Sequence, residues 1–108
     1  MSEFKVDFGS MEWQSRRQGA RYKLYQEGSR QLRLVEFTSG EVAPNLCSDG
    51  HIGFVLSGAL EIDFRGRVVS YVEGDGIFIP SGPSSAHRAR SITPGTRLVM
   101  VEDNLEDR

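Results

Sequence analysis

Ile52-Gly53-Phe54-Val55-Leu56-Ser57-Gly58-Ala59-Leu60-Glu61-Ile62-Asp63-Phe64-Arg65-Gly66-Arg67-Val68-Val69-Ser70-Tyr71-Val72 decides the fold of this 108-residue chain. Ile52 to Ser57 is a short apolar run, and Gly58 turns it. Leu60, Ile62 and Phe64 then alternate with Ala59, Glu61 and Asp63, the period-two signature of a half-buried strand. Arg65-Gly66-Arg67 is a tight hairpin loop, and Val68 to Val72 pairs back across it.

The same pattern extends in both directions. Tyr22, Leu24 and Gln26 alternate with Arg21, Lys23 and Tyr25. Glu27-Gly28-Ser29 turns the chain, and Gln31 to Phe37 returns, so residues 21–37 read as a hairpin. Ser39-Gly40-Glu41 ends it, and Pro44 keeps the next loop extended. Downstream, Glu73-Gly74-Asp75-Gly76 turns into the brief strand Ile77-Phe78-Ile79, which Pro80 ends. After a loop of serine, glycine and proline, His87, Ala89 and Ser91 are expected on one strand face. Leu98 to Glu102 forms the final strand. No window sustains a 3.6-residue apolar period. Short strands with glycine turns at regular intervals make the chain all-β, an antiparallel sandwich or barrel.

Residues 1–20 show no period and read as an N-terminal arm, residues 21–102 as the barrel and residues 103–108 as a mobile acidic tail. Trp13 has two readings, an anchor packing the arm on the barrel or a contact for a second subunit, and the first is preferred. The length supports one domain with one core. No apolar run approaches the roughly 20 residues of a membrane span, and no secretory signal pattern opens the chain. One cysteine forms no internal disulfide, which fits a reducing cytoplasm. A net charge of −2, with arginines scattered among acids, lacks the basic field of a nucleic-acid binder. The expected partner is a small-molecule ligand.

The only cysteine and the only two histidines, Cys47, His51 and His87, all lie within 41 positions of one another. Thiolate and imidazole are suitable ligands for a divalent transition metal, and three protein ligands leave a place for water or substrate. Asn45 offers a weak oxygen donor, and Asp49 an outer carboxylate. Against this stands the plainer reading of a buried apolar Cys47, a hydrogen-bonded core His51 and an exposed His87. Ser81, Ser84 and Ser85 near His87 lack the G-x-S-x-G elbow and third orienting group of a serine hydrolase. Glu36 is a barrel base in one reading and a surface residue ending its strand in the preferred one. Arg88 and Arg90 suit an anion at the barrel mouth or, by default, a solvated face.

Gly40 to Ser91 resembles the two motifs of the cupin superfamily. Counting back from Gly58, His51 stands where the first motif has glutamate, and Asn45-x-Cys47 where it has His-x-His. Gly74, Pro80 and Gly82 match the second motif, with Ser85 at the histidine position and His87 two residues later. The resemblance implies a single cupin-like jelly-roll barrel (a double-stranded β-helix) of antiparallel strands, paired into homodimers through N-terminal strands. The expected function is binding of a divalent metal inside the barrel and action on, or binding of, a small polar metabolite. The alternative is a metal-free ligand-binding or sensing barrel without turnover. The mixed sulphur–nitrogen set favours zinc or nickel, with iron less suited. Catalytic residues are not assigned, and no organic cofactor is expected.

Overall fold

A computed structural model shows an all-β chain, and the structure describes residues 4–17, 19–42 and 46–103. Among them are nine strands: β1 (Gln14–Arg17), β2 (Ala20–Glu27), β3 (Arg30–Phe37), β4 (His51–Ser57), β5 (Ala59–Phe64), β6 (Arg67–Val72), β7 (Gly76–Ile79), β8 (Arg88–Ile92) and β9 (Arg97–Asp103). Short 3-10 turns occur at Phe8–Ser10 and Pro83–Ser85. No helix among the described residues is long and apolar enough to cross a membrane. A six-stranded sheet runs β1-β2-β3-β9-β4-β7 and a three-stranded sheet runs β6-β5-β8. All the strand pairings are antiparallel.

Turn chemistry sets the registers. Phe64 lies opposite Arg67 across Arg65-Gly66, and both loop residues have positive φ, 55° and 102°. That is the type I′ geometry whose twist matches a hairpin's strands. Gly58, at φ 86°, links the two sheets by joining β4 to β5. A Cβ there would stand 2.7 Å from Thr96 Cα. Thr96 is fully buried; its hydroxyl accepts from Ala59 N–H at 3.1 Å and donates to the Thr93 carbonyl at 2.7 Å. Glycine is therefore required at Gly58 by conformation and by space.

The core lies between the sheets. Val35, Phe37, Val55, Leu98, Met100, Ile77 and Ile79 face inward from the larger sheet, against Leu60, Ile62 and Ile92 of the smaller. On β3 the inner residues are Arg33, Val35 and Phe37, whereas Leu32, Leu34 and Glu36 face out. One face expected from the sequence, that of His87, Ala89 and Ser91, is not kept. On β8 a register shift between Glu61 and Ile62 sets Ala89 opposite Ile62 but Ser91 opposite Glu61. Ser91 therefore leaves the inner face and donates to the Glu61 carboxylate at 3.0 Å. Such an extra residue flips every side chain beyond it.

The outer face of the six-stranded sheet is unusually apolar. Register places Tyr25, Leu32, Val101, Ile52 and Phe78 in one row, and Leu34, Val99 and Phe54 in the next. Phe78 is 76% exposed and Ile52 51%. Trp13 packs on the barrel itself, over Arg21 at 4.4 Å, Lys23 at 4.7 Å and Arg97 at 5.6 Å from its ring centre. Lys23 Nζ also donates to the Phe8 carbonyl at 2.8 Å, so the segment before β2 is tied down by cations of the sheet.

Candidate metal centre

Two antiparallel features assemble the cluster. Cys47 and His87 form an isolated β-bridge, exchanging both backbone hydrogen bonds at 2.7 and 3.0 Å. A pair of that kind presents its two side chains on one face. His51 opens β4, opposite buried Ile79 of β7, and so enters the same interior from the larger sheet. The loop between them is held by Gly82 N–H on the Ser48 carbonyl (2.9 Å) and Gly50 N–H on the Ser81 hydroxyl (2.8 Å). The Pro83–Ser85 turn then carries the chain to His87.

Cys47, His51 and His87 converge, with one ligand atom from each within 4.8 Å of the others. His87 is buried, and Cys47 and His51 are half-buried. The imidazole rings meet edge-on, with centres 5.3 Å apart at 76°, and Phe64 packs against His87 at 5.6 Å. Asn45 lies outside the described residues.

Hydrogen bonding assigns the ring tautomers. His87 Nδ1 lies 2.9 Å from the Ser85 carbonyl, which can only accept, so Nδ1 carries the proton. His51 Nδ1 lies 2.7 Å from Glu102 Oε2 and donates to that carboxylate. In the neutral form of each ring, Nε2 then holds the lone pair that a cation would take. Outer partners of this kind fix the orientation of metal-binding histidines. A sulphur and two such nitrogens, converging from both sides of the fold, fit a divalent metal ion.

The outer carboxylate is Glu102 of β9 rather than Asp49, which is exposed. Arg33 Nη2 reaches the same Glu102 oxygen at 2.7 Å, and both side chains are at least nine-tenths buried. A signal for them existed. Glu102 continues the inward series Leu98, Met100, and Arg33 precedes Val35 and Phe37 at the same period. Reading Glu102 only as the end of the last strand left its inward side chain unassigned.

Other expectations resolve against chemistry. Gly53 shares the inner face with His51, and its backbone lies close against β9. A Cβ there would clash with the Val99 carbonyl oxygen and stand 2.8 Å from Met100 Cγ. Glu36 faces out and accepts from Arg21 Nε at 2.7 Å and Arg97 Nε at 2.6 Å. Burial alone would raise its carboxyl pKa, but the hydrogen bonds from Arg97 and Arg21 outweigh that and hold it below the ordinary value. Ser85 meets His87 through its carbonyl, not as a nucleophile. Arg88 and Arg90 are exposed beside Asp63 in an outer groove of about 480 Å³ that does not include the cluster.

Two packed antiparallel sheets enclose the candidate site, and solved structures identify the fold. KdgF from a Halomonas species superposes with a TM-score of 0.74 at 22% identity, covering 91% of this chain and 90% of that one. An RmlC-like cupin from Shewanella frigidimarina gives 0.73 at 14% identity, over 98% and 95%. The polyketide cyclase RemF from Streptomyces resistomycificus gives 0.74 at 18% identity, over 93% and 78%. The chain has the cupin fold. No protein-family model matches its sequence, and no curated protein does.

Proposed function

We propose that this barrel binds a divalent metal through Cys47, His51 and His87, zinc or nickel in preference to iron, and acts on or holds a small polar metabolite beside it. The observation that carries the reading is the convergence of the Cys47 thiol with a ring nitrogen of His51 and of His87, all within 4.8 Å, while each ring's orientation is set by a hydrogen bond at Nδ1. A sulphur–nitrogen set suits zinc or nickel better than oxygen-activating iron. Such an ion, when bound, supplies a Lewis acid for a substrate oxygen. The chain's own contribution is positional: Glu102 and Ser85 orient the rings, and Phe64 shields His87 from water. RemF, named as a cyclase, is an enzyme on this scaffold; fold alone does not transfer that activity.

A second reading rests on the ring contacts. The edge-on packing of His51 on His87, capped by Phe64, accounts for a buried His87 in a metal-free ligand-binding barrel. Elemental analysis of protein purified without added metal separates the two. Stoichiometric zinc or nickel that is lost in Cys47→Ala and His51→Ala, with circular dichroism unchanged, supports the metal reading. Metal-free protein whose thermal stability ignores a chelator overturns it.

The exposed rows of the large sheet support pairing with a second copy of the chain, since apolar patches of this kind mark interfaces. A thiol ligand is best preserved in a reducing compartment, which supports a cytoplasmic location.

A further inference from the structure

Among the described residues, one buried side-chain polar atom has no hydrogen-bond partner. Arg33 Nε is shielded from solvent without a hydrogen bond, although Nη2 of the same guanidinium is bound to Glu102. The Glu102 oxygen that receives Nη2 also receives His51 Nδ1–H, so the guanidinium lies one carboxylate away from the metal cluster. Register agrees: on the inner face the pair Arg33–Met100 is the row next to Gln31–Glu102. Orphaned buried donors are rare in folded proteins and call for a ligand or ordered solvent.

Charge narrows the ligand. A bound cation takes the thiol as its thiolate and each imidazole in its neutral form. With Cys47 and Glu102 as anions, Arg33 as a cation and a divalent ion bound, the interior holds one net positive charge. A monoanion neutralises it, whereas a phosphate dianion would leave a buried negative charge at high cost. A carboxylate oxygen is a strong acceptor for the one N–H, Nε–H, that remains unpartnered. The neighbouring walls, Met100, Ile79 and Phe64, are apolar.

Resting on the metal reading above, we propose that the barrel's ligand is a small monocarboxylate, received by Arg33 Nε–H beside the Cys47–His51–His87 cluster.

The test follows the Arg33 Nε–H resonance in nitrogen-15-labelled full-length protein, assigned by its absence in Arg33→Lys or by through-bond correlation if that variant does not fold. Acetate is titrated with acetamide as the neutral isostere, into zinc-loaded and chelator-treated samples. The expected result is a saturable shift with acetate, at least about tenfold tighter with zinc present, and none with acetamide. Arg33→Lys, which keeps the charge but loses the Nε–H, should weaken acetate binding about tenfold or more, in line with loss of one charge-assisted hydrogen bond. No saturable shift in the zinc-loaded protein, or an equal shift with acetamide, overturns the proposal. If zinc leaves the His51 and His87 ring resonances unmoved, the metal reading fails separately. Acetate titration of the metal-free protein then decides: a saturable Arg33 shift upholds the carboxylate site, and its absence refutes it.

Discussion

Replacing Glu102 by Gln tests the buried network most severely. Arg33 and Glu102 retain only 7% and 9% of their side-chain exposure, and one carboxylate oxygen serves both Arg33 and His51 at 2.7 Å. Glutamine keeps the shape but removes the charge, and its amide can turn only one acceptor toward these two donors. Breaking a buried ion pair by removing one partner costs about 3–5 kcal/mol, because the surviving charge stays desolvated. The retained amide oxygen places Glu102→Gln at the lower end, about 3 kcal/mol. Against a total stability of about 5–15 kcal/mol the variant still folds. In urea, with a slope of about 1.5 kcal/mol/M, the midpoint should fall by about 2 M. The assay is equilibrium unfolding by circular dichroism in the presence of chelator, so that metal binding does not enter. A companion, Arg33→Met with Glu102→Leu, removes both charges and should recover most of the loss, short of about 1 kcal/mol for the His51 N–H left without its acceptor. A loss below about 1 kcal/mol in the single variant, or a double variant less stable than the single, would refute a desolvated Arg33–Glu102 pair.

Gly53→Ala should lower the melting temperature by about 5 °C or more, since its methyl meets the Val99 carbonyl and Met100 Cγ; an unchanged melting temperature contradicts the close approach of β4 and β9. Glu36→Gln should cost about 0.5–1 kcal/mol at neutral pH. Because the folded carboxyl titrates below its ordinary 4.5, that ion-pair contribution is complete above this pH and lost as acid protonates the folded state. Stability curves of the two proteins should therefore converge in acid, and parallel curves would sink the assignment. Phe78→Glu, placed in the middle of the exposed apolar row, should convert a dimer to a monomer by light scattering; equal masses for both proteins would remove the interface.

Legibility followed how one-sided each strand is. In β5, Leu60 and Ile62 are buried while Glu61 and Asp63 are not, so alternation alone identified the inner face. In β3 both faces carry large apolar residues, Leu32 and Leu34 outside and Val35 and Phe37 inside, so the phase was not fixed by pattern. β1 is four polar residues, Gln14–Arg17, and exists because β2 offers it an edge; nothing local announces it. The bulge that turns Ser91 outward depends on pairing with β5 and leaves no mark in β8 itself. Cys47, His51 and His87 were legible through rarity, since the chain has no other thiol or imidazole. Glu102 and Arg33 were hidden because charged residues are expected at the surface, and only the register of β3 with β9 brings them inside.

Trp13, the single indole, lies against three cations on the outer side of the large sheet, whereas Cys47, His51 and His87 lie within the barrel. Its fluorescence therefore samples the outer surface and not the interior. Loading the interior with an ion would leave the spectrum unaltered. The molecule thus carries a built-in optical label for one of its two faces, and any signal seen on adding metal would have to arise from a change in the outer face as well.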